Sequence, residues 1–212
     1  MNFGFPFLYP IVDTEVCRAR GLDPLAVAEA YLEGGARVLQ LRQKGGSSAS
    51  FLELADALVS LARPVDALVV INDRADIARL SGAGGVHVGQ DDLTPTDVRK
   101  VAGAGVVVGL STHDEQQIDA ALGGEATYIA VGPIFGTATK DTGYSARGLE
   151  LLGRAGGRGK PVVAIGGITL DRVRSVVAAG ATGIAVISDL LAGPSPEART
   201  REFIARLSER TR

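Results

Sequence analysis

Short apolar, β-branched runs recur along the chain, and each gives way to a stretch with apolar residues at helical spacing. The runs read as strands at "FLYPIVD", "RVLQLRQ", "ALVVIND", "GGVHVG", "VVVGLS", "ATYIAV", "PVVAIGG" and "TGIAVIS", eight in all. Segments such as "PLAVAEAYLEGG" and "LDRVRSVVAAG" read as the helices that follow them. The strands are continuously apolar, which predicts burial on both faces, as in a parallel sheet under helices. Asp23-Pro24, Thr94-Pro95 and Ser195-Pro196 each put a capping oxygen before a proline at the first helical position. Ser50-x-x-Glu53 and Thr112-x-x-Glu115 have capping-box spacing. "EGGA" and "AAGA" place glycine where a helix ends in the left-handed region. Pro10 would remove a ladder donor from the first run, which argues for shifting that strand's start.

Eight strand–helix units of about 25 residues predict an α/β fold, a single (β/α)8 TIM barrel over residues 1–212. A doubly wound open sheet is the alternative, but no G-x-G-x-x-G follows a strand and no phosphate-binding G-x-x-x-x-G-K-[ST] occurs. The formal net charge of −2, with no basic stripe, speaks against nucleic acid. No apolar run approaches the ~20 residues of a membrane span. The opening "MNFGFPFLYP" has no basic n-region or long apolar h-region, so no secretion signal is expected. One cysteine, Cys17, excludes an internal disulfide and fits a reducing, cytoplasmic location. Nothing in the pattern sets an oligomeric state.

In such a barrel the active site lies at the C-terminal ends of the strands. Polar residues collect there: Gln40, Arg42 and Lys44; Asn72 and Asp73; His87, Gln90, Asp91 and Asp92; Ser111, Thr112 and His113; and Ser188. Alternation puts Gln40 and Arg42 on one side of an extended chain. Two cations with an amide suit a polyanion, Arg42 as a planar fork and Lys44 as a point charge. Asp73 and Asp92 end adjacent strands and are candidate Mg2+ ligands, since Mg2+ takes one or two carboxylates plus water and phosphate oxygens. Asp73 also reads as a helix cap, and Asp92 as a turn acid before Thr94-Pro95. "AIGGIT" and "AVIS", with Gly167 and Ser188, suit a phosphate monoester held by the last two loops. His87 and His113 are the only histidines; each reads as structural more readily than catalytic, His113 in a helix start capped by Thr112.

"GPIFGTATKDTG", Gly132 to Gly143, is longer than the usual strand-to-helix connection and reads as a binding loop or lid. Its glycines at 132, 136 and 143 would supply the freedom to close.

Taken in order, "QLRQK", "IND", "HVGQDD", "GLSTH", "GPIFGTATK", "AIGGIT" and "AVIS" resemble the thiamine-phosphate synthase family, from "LYPIVD" to about Ser188. The resemblance implies a (β/α)8 barrel that joins hydroxymethylpyrimidine diphosphate to a thiazole phosphate, releasing diphosphate, with Mg2+. It implies pyrimidine-diphosphate contacts from Gln40, Leu41, Arg42, Gln43, Lys44, Asn72, Ser111 and Lys140. Of these, Arg42, Lys44, Ser111 and Lys140 would carry the catalysis. Asp73 and Asp92 would hold the metal. Thr137, Ala138, Thr139, Gly167, Ile187 and Ser188 would contact the thiazole phosphate. Many family members have proline where this chain has Gly136, which frees the backbone there. Two other readings fit parts of the pattern. A thiazole tautomerase on the same fold would use His113 for proton transfer. A non-catalytic phosphate-metabolite sensor could keep Gly167 and Ser188.

Overall fold

The computed structural model describes residues 7–136, 143–193 and 195–209. The strands are β1 (Phe7–Asp13), β2 (Val38–Arg42), β3 (Leu68–Asn72), β4 (Gly85–Val88), β5 (Val107–Thr112), β6 (Tyr128–Val131), β7 (Val162–Ile165) and β8 (Gly183–Val186). All pair in parallel in chain order, and β8 closes on β1 to complete a barrel. The helices among the described residues are α1 (Thr14–Ala19), α2 (Pro24–Glu33), α3 (Ser48–Ala62), α4 (Ala75–Ser81), α5 (Pro95–Ala102), α6 (Glu115–Gly123), α7 (Gly148–Ala155), α8 (Val173–Ala178) and α9 (Pro196–Ser208). The chain is therefore a (β/α)8 TIM barrel, with α1 as an extra turn after β1. None of the described helices is long and apolar enough to cross a membrane.

Strand alternation sorts the side chains into two cores. Tyr9, Val38, Val70, Tyr128, Val163 and Ala185 fill the barrel interior. Leu39, Leu41, Ile71, Val86, Ile129 and Ile184 point outward into the shell beneath the helices. Both faces of the strands are thus buried, which is why the runs are apolar without interruption.

Pro10 stays inside β1, so the strand start needs no shift. The β1–β8 ladder ends at Pro10 and the β1–β2 ladder begins at Ile11. The proline sits where the strand passes from one neighbour to the other, which limits the loss to one donor. The proline-preceded caps are present: Asp23, Thr94 and Ser195 each accept from amides of the first turn. The two capping boxes are not. Ser47 caps α3, with its Oγ accepting from the Ser50 amide, so Ser50 is already helical. Asp114 caps α6. Thr112 is still strand, buried, and donates to the Ala130 carbonyl at 3.0 Å. The cap falls on a neighbour instead, three residues before Ser50 and two residues after Thr112.

Candidate active site

The inward positions of β2 carry Gln40 and Arg42, as alternation requires. Gln40 is buried, and its Nε2 donates to Tyr9 Oη at 3.0 Å. Arg42 is 11 % exposed and donates from one terminal nitrogen to Asp13 Oδ2 at 2.5 Å, with Glu15 at 3.8 Å. Asp13 is 4 % exposed, and its other oxygen accepts the Glu15 and Val16 amides, capping α1. Asp13 therefore fixes Arg42 and begins a helix at once. The Arg42 Nε–H is buried and has no hydrogen-bond partner among the described residues. A buried donor left unmet is costly, and a ligand oxygen would satisfy it. Leu41 faces outward in the helical shell, so it can reach a ligand only through its backbone. Gln43 turns toward α3, where its Nε2 donates to Ser50 Oγ at 3.2 Å.

Asp73 follows β3 with φ 62°, in the left-handed region that aspartate tolerates better than most residues. Its amide donates to the His87 carbonyl at 2.8 Å, extending the β3–β4 pairing past the strand end. It does not cap α4; Arg74 stands at that position. Such backbone conformations concentrate where a side chain must be aimed. Lys44 forms an ion pair with the Asp73 carboxylate. Burial pushes the Asp73 carboxyl above its ordinary range, Lys44 opposes this, and the nearby Asp92 carboxylate adds to it. Asp92 turns one oxygen back to the Gly89 amide at 2.8 Å, as a turn acid does. Gln90 Nε2 donates to the Ser111 carbonyl at 2.6 Å, tying the β4 loop to β5. Lys44, Asp73 and Asp92 thus form one charged group at the ends of β2 to β4, with Asn72 buried beneath it.

On the other side of the mouth lies a cavity of about 320 Å³, whose lining includes Ser111, His113, Gly167, Ile187, Ser188 and Arg20. Gly167, Ile187 and Ser188 therefore share one space. The lining also holds a cation, Arg20 at the end of α1, which donates to the Leu191 carbonyl at 2.7 Å. A larger hollow, about 690 Å³, opens at the opposite end of the barrel around Phe7, Arg37, Arg63 and Asp66. It contains none of the candidate residues.

Thr137, Ala138, Thr139 and Lys140 lie outside the described residues. The flanks of their loop are firmly placed. Ile134 and Phe135 amides donate to the Ile165 and Gly166 carbonyls, and Arg147 and Gly148 amides donate to Pro133 and Ile134. A Cβ on Gly132 would fall 2.4 Å from the Ile165 carbonyl oxygen. Gly132 is thus needed for close packing, not for freedom to close. Gly167, at φ 61°, faces Gly136 and Phe135, where a Cβ would lie 2.5 Å from the Gly136 carbonyl oxygen. Its lack of a side chain admits the neighbouring loop. Arg172 binds the two loops together, donating to the Gly167 carbonyl at 2.6 Å and stacking 4.4 Å over the Phe135 ring. Downstream, Tyr144 stacks on His113 at 4.1 Å, and His113 Nδ1 lies 2.6 Å from the Gly132 carbonyl oxygen. Both histidines are held in the structure, His87 between Tyr128 and Ser111 at 2.9 Å from each.

Asp13, Arg20, Tyr9 and Tyr128 touch candidate site residues or line the same cavity, and the sequence did not single them out. Asp13 ends an apolar strand, which is a weak signal for a charge anchor. The tyrosines read as core until the register brings them together.

A family model described as thiamine monophosphate synthase matches residues 8–190. A thiamine-phosphate synthase of Laribacter hongkongensis is 42% identical over 200 residues, covering 93% of each chain. One of Koribacter versatilis is 43% identical over 206 residues, covering 94% of each. A solved thiamine phosphate pyrophosphorylase from Pyrococcus furiosus superposes with a TM-score of 0.87 at 30% identity, covering 96% of each chain.

Proposed function

The chain belongs to the thiamine monophosphate synthase family, and on that premise we propose that it is a transferase. It joins 4-amino-5-hydroxymethyl-2-methylpyrimidine diphosphate to a thiazole phosphate, giving thiamine phosphate and diphosphate. The observation that carries this reading is the meeting of Lys44, Asp73 and Asp92 beside Arg42, opposite the cavity that holds Gly167 and Ser188. One mouth then offers two anion sites. A sensor or isomerase of a single monophosphate would have no use for the first.

Asp73 and Asp92 fit Mg2+. Both are hard oxygen donors, and the Asp92 carboxylate sets like charge beside the partly buried Asp73 that a cation would relieve. No group of three or more metal-binding side chains occurs among the described residues, but Mg2+ on a diphosphate needs only one or two carboxylates. When bound, Mg2+ would offset the charge gathering on the departing diphosphate.

In the proposed reaction the bond from the exocyclic methylene to the diphosphate oxygen breaks, and its electron pair leaves with diphosphate. The thiazole nitrogen lone pair then forms the new carbon–nitrogen bond. No proton moves, which suits a site whose histidines are held by neighbours. Arg42 and Lys44 bind the diphosphate and stabilise its growing charge; Ser111 and Lys140 take the same part from the family motif. Gln40, the backbone of Leu41, Gln43 and Asn72 complete that half. Gly167, Ile187, Ser188 and residues 137–139 hold the thiazole phosphate and orient its ring.

Calorimetry with inorganic diphosphate tests the metal half. Binding is expected to need Mg2+ and to disappear in an Asp73→Ala, Asp92→Ala double variant. Metal-independent binding would favour the sensor reading. Proton exchange on a thiazole phosphate, with no diphosphate released from the two substrates together, would favour the tautomerase.

A further inference from the structure

Five side chains from five strands form one hydrogen-bonded line through the barrel interior. Gln40 Nε2 lies 3.0 Å from Tyr9 Oη, and Tyr9 Oη lies 2.9 Å from Tyr128 Oη. Tyr128 Oη lies 2.9 Å from His87 Nδ1, and His87 Nε2 lies 2.9 Å from Ser111 Oγ. The two ends, Gln40 and Ser111, belong to the pyrimidine-diphosphate half. The middle three residues have no part in the chemistry above.

The barrel makes room for this line. His87, Gly109 and Tyr128 are register partners on β4, β5 and β6. A Cβ on Gly109 would lie 2.1 Å from Tyr128 Cζ and 2.4 Å from His87 Nδ1. Glycine in the middle of β5 lets the imidazole and the phenol meet across that strand.

The line also has a direction. The Gln40 amide nitrogen can only donate, so Tyr9 Oη accepts. Tyr9 has one proton, and its other partner is Tyr128. Were Tyr128 to donate to Tyr9, the buried Tyr9 proton would have no acceptor among the described residues, which is costly. Tyr9 therefore donates to Tyr128, and Tyr128 donates to His87 Nδ1. The His87 proton is then on Nε2 and goes to Ser111 Oγ. The serine keeps its own proton to give elsewhere, as an anionic ligand that can only accept requires.

We propose that Tyr9, Tyr128 and His87 are positioning residues that hold His87 as its Nε2–H tautomer and make the Ser111 hydroxyl a donor toward the diphosphate. The ligand's identity rests on the function proposed above; the tautomer does not. His113 supplies an internal contrast, since its Nδ1 faces a carbonyl and must itself carry a proton.

Long-range ¹⁵N–¹H NMR of the substrate-free protein, labelled at histidine, reads both tautomers. An Nε2–H signal is expected for His87 and an Nδ1–H signal for His113, with a His113→Gln variant assigning the pair. In Tyr128→Phe the His87 preference is expected to be lost. An Nδ1–H signal for His87, or a preference unmoved by Tyr128→Phe, would overturn the proposal. A second pair keeps the donor role testable. The amide nitrogen of His87→Gln can occupy the Nε2 position, whereas that of His87→Asn mimics Nδ1. KM for the pyrimidine diphosphate is expected to rise about tenfold more in His87→Asn, the scale of one hydrogen bond. Equal or reversed effects would reject the role of the Nε2 donor. A wild-type protein that releases no diphosphate would refute the proposed function and leave the tautomer result standing on its own.

Discussion

Replacing Asp13 separates two jobs held by one carboxylate. Its Oδ2 pairs with Arg42 at 2.5 Å, and its Oδ1 caps α1 through two amides. Asp13→Asn keeps a cap oxygen but loses the charge opposite a guanidinium that is only 11 % exposed. A hydrogen bond to a charged group is worth about 2 kcal/mol, and removing one partner of a buried pair can cost more. Asp13→Ala also loses the cap, about 1 kcal/mol further. At this chain length 1 kcal/mol moves the unfolding midpoint by roughly 2–4 °C. Thermal unfolding should therefore fall by about 4–8 °C for Asp13→Asn and about 6–12 °C for Asp13→Ala. Glu15, 3.8 Å from Arg42, keeps the losses from being larger. Diphosphate with Mg2+ should raise the midpoint of Asp13→Asn more than that of wild type, because the anion restores a partner to Arg42. Equal midpoints for the two variants would refute the cap. A wild-type midpoint in Asp13→Asn would refute the buried pair.

Asp92→Ala is expected to leave the barrel folded, by circular dichroism, while turnover at saturating Mg2+ falls ~10²-fold or more, the scale of losing a strong electrostatic stabiliser. Gly109→Ala drives a methyl into Tyr128 and His87, so a loss of stability on the overpacking scale, about 1–3 kcal/mol or more, should appear in urea unfolding. Tyr144→Ala removes a ring stacked on His113 and lying 4.9 Å from Arg147, and tryptic cleavage at Arg147 should quicken. Lys140→Ala is expected to slow the chemical step in single-turnover kinetics more than it weakens thiazole-phosphate binding.

The fold was readable because its determinants are local and repeated. Each strand is a short apolar run, and each of Asp23, Thr94 and Ser195 caps the helix that its proline begins. The gathering of Arg42, Lys44, Asp73 and Asp92 into the charged half of the candidate site was readable because they sit at strand ends that a closed barrel must bring together. What escaped was set by contacts distant in sequence. Tyr9 and Tyr128 are 119 residues apart, and only the register of six strands brings their hydroxyls within 2.9 Å. Gly132 reads as a hinge in isolation, but the carbonyl of Ile165 on a neighbouring strand decides its use. Ser50 and Thr112 fit a capping motif by spacing, yet Ser47 and Asp114 cap those helices.

The central claim is that this barrel joins two anionic substrates and expels diphosphate. Its most direct test is a quenched assay that counts thiamine phosphate and diphosphate together while each substrate, and then Mg2+, is left out in turn. One thiamine phosphate per diphosphate, formed only when all three are present, is the expected result. Diphosphate released without the thiazole phosphate at the same rate, or no product from the complete mixture, would contradict it.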